Sequence, residues 1–339
     1  MTLTELKKHI PAACFQKSLP RSLFYMVIDL LLLSSALFVY DYFSSSWIGL
    51  FVYWNIYGFL MWCLFVVGHD CGHGTFSNYP IINAICGHIC HAPLLVPFFP
   101  WAYSHRKHHR FHNHKDKDMS HPWLTKEEVG KSFLKKYYLS SVLSPFLSYL
   151  IYLYVGEYDG SHVTPTGRLY QGAGFNEKMK CFISSLSILC VVAIFFVSFS
   201  SWSQFMLSYG GCWLMFSFWL FMVTYMQHHD EKVIAYDDSN WDFFSGALQT
   251  VDRKFGFGID RVHHNITDGH VVHHLFFTQI PHYHLKRATK AIAPLLKEQY
   301  KFVTHKIFFK DFWSIFFKVK FSNWNLNKLE EPKETDSNH

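Results

Sequence analysis

The sequence predicts an all-α integral membrane protein, with four transmembrane helices in two hairpins beneath a cytosolic cap rich in histidine. Three observations lead there. Half of the 339 residues are hydrophobic and only 17% are charged, yet the apolar residues fall in blocks separated by polar stretches. Four of those blocks have the length that a helix needs to cross about 30 Å of hydrocarbon. Histidine, finally, occurs 23 times and is concentrated in short clusters. Low charge excludes a disordered chain, and the 8 scattered cysteines exclude a disulfide framework and read as reduced thiols. A net charge of +6 without long Lys/Arg runs suits membrane-facing loops and argues against nucleic acid as a partner.

Taken in order, residues 1–22 carry Lys7, Lys8, Lys17 and Arg21 without the short apolar core of a secretory signal, and form a cytosolic N-terminal segment. Residues 23–323 form one domain, and 324–339 a solvated cytosolic tail. The first span is expected at 23–43, interrupted by Asp29 and Asp41, and the second at 47–67, with a turn at Ser44, Ser45 and Ser46. The third and fourth are expected at 181–200 and 204–226, with a turn near Trp202. Ile81 to Pro100 and Tyr137 to Val155 are broken by prolines or histidines and are read as interfacial or re-entrant. The stretch from Gly68 to Lys180 holds 12 Lys/Arg whereas the hairpin turns hold none, which places that loop and both termini in the cytosol.

Three clusters carry the chemistry: His69-Asp-Cys-Gly-His73, His105-Arg-Lys-His108-His109 and His270-Val-Val-His273-His274. Spacings of three and four put imidazoles one turn apart on a helix, so each cluster reads as a ligand set in itself. The first follows the second span directly, and His228-His229 follows the fourth, so all face the same side. Together the clusters offer eight imidazoles, twice what one tetrahedral zinc uses, which implies two metals. Nitrogen-rich sites with open positions suit redox iron and O₂. A zinc hydrolase is the alternative, but its helix carries Glu after the first His, where this chain has Asp70. A membrane metal transporter or sensor is a further one, and the uncharged spans offer it no polar pathway.

These residues resemble a known family, the membrane-bound fatty-acid desaturases, over about residues 66–300. The stretches Gly68 to Ser77, Ser104 to His109 and His264 to Phe276 look like its three histidine boxes, and Pro281-His-Tyr-His284 with Ala288-Thr-Lys-Ala-Ile292 is similar to the methyl-end branch, the Δ12 and omega-3 enzymes. The resemblance implies a non-haem diiron centre that uses O₂ and two electrons to remove two hydrogens from adjacent methylenes of an acyl chain. It implies His228 as a ninth ligand, cytochrome b5 and its reductase as separate electron donors, and the endoplasmic reticulum membrane. The substrate is then a membrane lipid or an acyl-CoA. The context Gly74-Thr-Phe-Ser77 tilts the expectation from Δ12 toward omega-3. A related diiron hydroxylase would use the same ligands and is the alternative.

Asp70, Asp268, Asp242, His264 and Asn265 are expected to support the ligand imidazoles from behind. His112 and His114 read as a solvated loop, His282 and His284 as packing, and Cys86 with Cys90 as packing on an interfacial segment. Asp29 lies inside a span, where an acid is costly, and is either paired within the bundle or placed near an interface.

Overall fold

The computed structural model describes residues 2–122, 141–156 and 159–320. Four helices among them are long and apolar enough to cross a membrane: Leu19–Leu37, Trp47–His73, Phe175–Ser198 and Trp202–His228. The all-α membrane architecture follows, the exception being a parallel two-stranded ladder that pairs Asp252–Lys254 with Phe302–Thr304. The expected tail at 324–339, the domain limit at 323 and the start of the Tyr137 to Val155 stretch lie outside the described residues.

The second and fourth spans form the buried centre, and the first and third flank it, largely exposed. Close approach between the central pair is set by small residues. A Cβ at Gly58 would stand 2.6 Å from the Met215 Cβ and 2.7 Å from the Phe216 backbone nitrogen, and one at Gly211 would enter the Trp54 indole. The first span turns Ser22, Met26, Asp29 and Leu33 inward at helical spacing. Asp29 finds its partner there, accepting a hydrogen bond from His264 Nε2 at 2.7 Å.

The helices depart from the expected span limits: the first covers Leu19–Leu37 instead of 23–43, the third covers Phe175–Ser198 instead of 181–200, and the second and fourth run further toward their C-terminal ends. The second helix does not stop at 67 but runs on through His73: no proline intervenes, Gly68 and Gly72 stay helical, and Gly74, with φ of +72°, ends it in the left-handed region. At 27 residues it is about 40 Å long, about 10 Å beyond the hydrocarbon thickness. The first histidine cluster therefore rides on the projecting end of the span itself. The fourth helix likewise continues to His228.

Pro80–Leu94 and Phe98–Arg110 meet at a bend of 100°, the geometry of a re-entrant loop or of a broken span. Pro93 and Pro97 break the helix, and Leu95 takes φ +55°. The carbonyls freed at the bend cannot be left bare at membrane depth. Pro93 O accepts from Tyr209 Oη at 2.7 Å, Leu94 O from Trp213 Nε1 at 2.7 Å, and Leu95 O from Tyr154 Oη at 2.6 Å. The bend is thus held by the fourth span and its neighbours, and it aims the His105–His109 helix back over the bundle. Short helices His270–Leu275 and His282–Leu296 close the cap from above. The eight cysteines are all free thiols, as expected.

Candidate metal centre

Each histidine cluster sits on a helix, where successive residues are about 100° apart. Residues four apart share a face; adjacent ones cannot. The structure follows this rule: the first cluster, His69 with His73, stays together, and the expectation that each cluster is a ligand set in itself is corrected for the second and third. His69, His73, His105, His109 and His273 converge in one group, and His108, His112, His228 and His274 in a second, with candidate ligand atoms within 4.8 Å of one another in each. Adjacent His108 and His109 go to different groups, as do His273 and His274.

In the first group the Nε2 atoms of His69 and His73, of His105 and His109, and of His109 and His273 are each 3.1 Å apart. In the second, His112 Nε2 lies 2.9 Å from His228 Nδ1. His270 lies at the edge of this group, its Nε2 3.1 Å from that of His274 and 3.2 Å from that of His228. The groups are neighbours, with the His109 and His274 ring centroids 4.2 Å apart.

These groups fit metal ions. Burial, reinforced by the neighbouring imidazoles, holds His270, His273 and His274 well below their ordinary pKa, and pushes His112 down to about 3. The rings are therefore neutral, the form that binds metal. His109 Nε2 faces the Nε2 atoms of both His105 and His273 at 3.1 Å, and a ring nitrogen that offers either one N–H or one lone pair cannot make two good hydrogen bonds to them at once. Among the described residues, buried His108 Nε2 has no hydrogen-bond partner at all. Cations at the two foci satisfy these nitrogens together.

Two ligand-group rings are fixed by what lies behind them. His108 Nδ1 donates to Asp118 Oδ1 at 2.8 Å, and that carboxylate also accepts from the backbone nitrogens of Asn113, Ser120 and His121 at 3.1–3.3 Å. Burial, the largest single influence, would raise the Asp118 carboxyl, but His108, His112 and His121 together draw it down to about 2. His112 Nδ1 donates to Gly246 O at 2.7 Å, which leaves its Nε2 lone pair aimed into the second group.

The sequence-predicted supports fare unevenly. Asp70 is placed near the first group, 3.8 Å from His69 Nδ1, although its closer bond is to His282 Nδ1 at 2.8 Å. His264 is turned to Asp29 instead. Asn265 takes a left-handed turn at φ +58° beside it. Asp268 faces Lys286 at 3.8 Å. Asp242 is away from both groups: it caps the short helix Phe243–Ala247 by accepting from the Phe244 and Ser245 nitrogens. His112 and His114 are not solvated but buried, His114 bonding to Asp238 at 3.1 Å and standing outside both groups. Sequence reasoning missed His112 and Asp118. For His112 the signal was present, since it lies one helical turn beyond His108; for Asp118 there was none.

Against this geometry, comparison with known proteins is decisive. The sequence model of the fatty acid desaturase family matches residues 45–306. The chain belongs to this family. It is 40% identical to a Δ12 fatty acid desaturase of Caenorhabditis elegans, covering 91% of this chain and 85% of that protein. An omega-3 fatty acid desaturase of the same organism is 38% identical, covering 92% and 79%. An omega-3 fatty acid desaturase of the endoplasmic reticulum from Nicotiana tabacum is 37% identical, covering 88% and 79%. The desaturase is thus an oxidoreductase that acts on lipid substrates, and its two imidazole groups are compatible with a metal centre.

Proposed function

We propose that this desaturase inserts a cis double bond toward the methyl end of an unsaturated acyl chain, at the omega-3 position, with two irons held by its two imidazole groups. One observation supports the two-ion part of the reading: the second and third histidine boxes are each divided between two foci, while the first box, His69 with His73, joins one of them. His69, His73, His105, His109 and His273 hold the first iron. His108, His112, His228 and His274 hold the second, with His270 at their edge. Iron supplies the activation of O₂ and the removal of hydrogen from an unactivated methylene, for which no side chain has the power.

The residues of the chain do the rest. Asp118 and the Gly246 carbonyl fix which nitrogen of His108 and His112 carries the proton, so that the other faces the ion. The second and fourth spans, in contact through Gly58 and Gly211, set the distance between His69 with His73 and His228. The apolar bundle below accepts the acyl chain and decides which methylene pair stands under the irons. The Lys/Arg-rich loop puts the site and both termini in the cytosol, where cytochrome b5 and its reductase deliver electrons. The endoplasmic reticulum membrane is the proposed location, in line with the tobacco relative. The acyl group is carried on a phospholipid or coenzyme A.

Expression in yeast, which provides oleate, cytochrome b5 and reductase, tests the reading. With linoleate fed, α-linolenate is the expected product by gas chromatography and mass spectrometry, and a His108→Ala strain makes none. Linoleate formed without feeding would move the assignment to Δ12, and an oxygenated product would move it to a hydroxylase.

A further inference from the structure

The short strand Asp252–Lys254 bonds to two of the helices that supply the second imidazole group, the fourth span and His270–Leu275, through consecutive residues whose side chains point opposite ways. Asp252 Oδ1 accepts from the Val271 nitrogen at 2.8 Å, in the first turn of the helix that carries His270 and His274. Its Oδ2 accepts from Tyr300 Oη at 2.7 Å. Arg253 faces the end of the fourth span. Its Nε donates to the Met226 carbonyl, and Nη2 donates to the His229 carbonyl at 3.3 Å and to Asp230 Oδ2 at 2.7 Å. Nη1 lies 3.4 Å from His305 Nε2.

Arg253 is fully buried. Burying a guanidinium is costly unless its donors are used, and here three of its nitrogens are engaged. The last carbonyls of a helix have no partner within it and form the negative end of its dipole. A planar fork that binds the carbonyls of 226 and 229 closes the turn containing His228 from both sides, which packing alone would not do. The backbone adds two ties in the same place: Val251 N to Gln227 O at 2.9 Å and Arg253 N to Thr267 O at 2.8 Å.

The geometry points to Asp252 and Arg253 as a positioning pair that sets the separation of His228 from His270 and His274, and so controls occupancy of the second metal site in particular. Neither side chain touches an imidazole of the group in this account; both act through the helices that carry them. The inference rests on the proposed two-iron reading.

The test uses the full chain, purified in detergent and reconstituted with ⁵⁷Fe, as wild type, Arg253→Lys, Asp252→Asn and His274→Ala. Iron per chain, the Mössbauer spectrum and the melting temperature are measured on each. Lysine keeps the charge without the fork, so Arg253→Lys is expected to bind about half the wild-type iron, to lose the same spectral component as His274→Ala and to melt as a single folded species. Asp252→Asn, which keeps the shape, should lose that same component and serves if the arginine variant does not fold. Wild-type iron content in folded Arg253→Lys or Asp252→Asn overturns the inference, as does equal loss of both components. A wild-type protein with one iron component would instead sink the two-iron reading beneath it.

Discussion

Replacing Asp118 with Asn removes one charge from a fully buried position and changes almost nothing in shape. In the native protein the carboxylate accepts from His108 Nδ1 at 2.8 Å and from three backbone nitrogens. An amide offers one oxygen where the carboxylate has two. Whichever way it turns, an N–H is set against a donor, either His108 Nδ1 or the Asn113 nitrogen. The lost charge-assisted bond is worth about 1.5–3 kcal/mol, and at about 1.4 kcal/mol per tenfold change in affinity this is a loss of about 10- to 100-fold. It should fall on the second iron, since His108 serves that group. Competition of purified protein against a series of chelators, with iron read by mass spectrometry, measures it. Unchanged affinity, or equal weakening of both irons, would refute the reasoning.

Three other outcomes are expected. His112→Ala should weaken the second iron, whereas His114→Ala, which removes bonds to Asp238 and to the Asp116 nitrogen outside both groups, should leave both in place; the same chelator competition separates them. Gly58→Val should force the second and fourth spans apart at a cost of about 1–3 kcal/mol, lowering both the melting temperature and the iron content. Buried His162 and His263 are each pushed down to about 3, burial being the main cause. Below a pH of about 6.5 the unfolded chain binds protons there that the folded chain refuses. Stability present above that pH is then lost as it falls, by about 2 kcal/mol per imidazole at about pH 5. A melting temperature that does not fall between about pH 7 and 5 would contradict this.

Much of the molecule was legible in the sequence, and the illegible parts have physical causes. The spans were readable because lipid demands long apolar helices; their ends were not, because a helix does not stop where hydrophobicity does but where a residue such as Gly74 turns it. The boxes were readable from spacing. The division of the second and third boxes between two groups follows from the helical angle between adjacent residues such as His108 and His109, but clustering in sequence masks it by resembling clustering in space. Asp242 was misread as a metal support, although an acid just before a short helix is an ordinary cap. The pairing of Asp29 with His264 joins residues 235 positions apart, and only the fold brings them together.

The central claim is that adjacent histidines of one box serve different irons, and a matched pair of variants tests it most directly. His108→Ala and His109→Ala, each reconstituted with ⁵⁷Fe, should each retain about half of the wild-type iron, with complementary Mössbauer spectra that sum to the wild-type spectrum. If both variants lose the same component, or if either loses all iron while remaining folded, the division of the boxes is wrong.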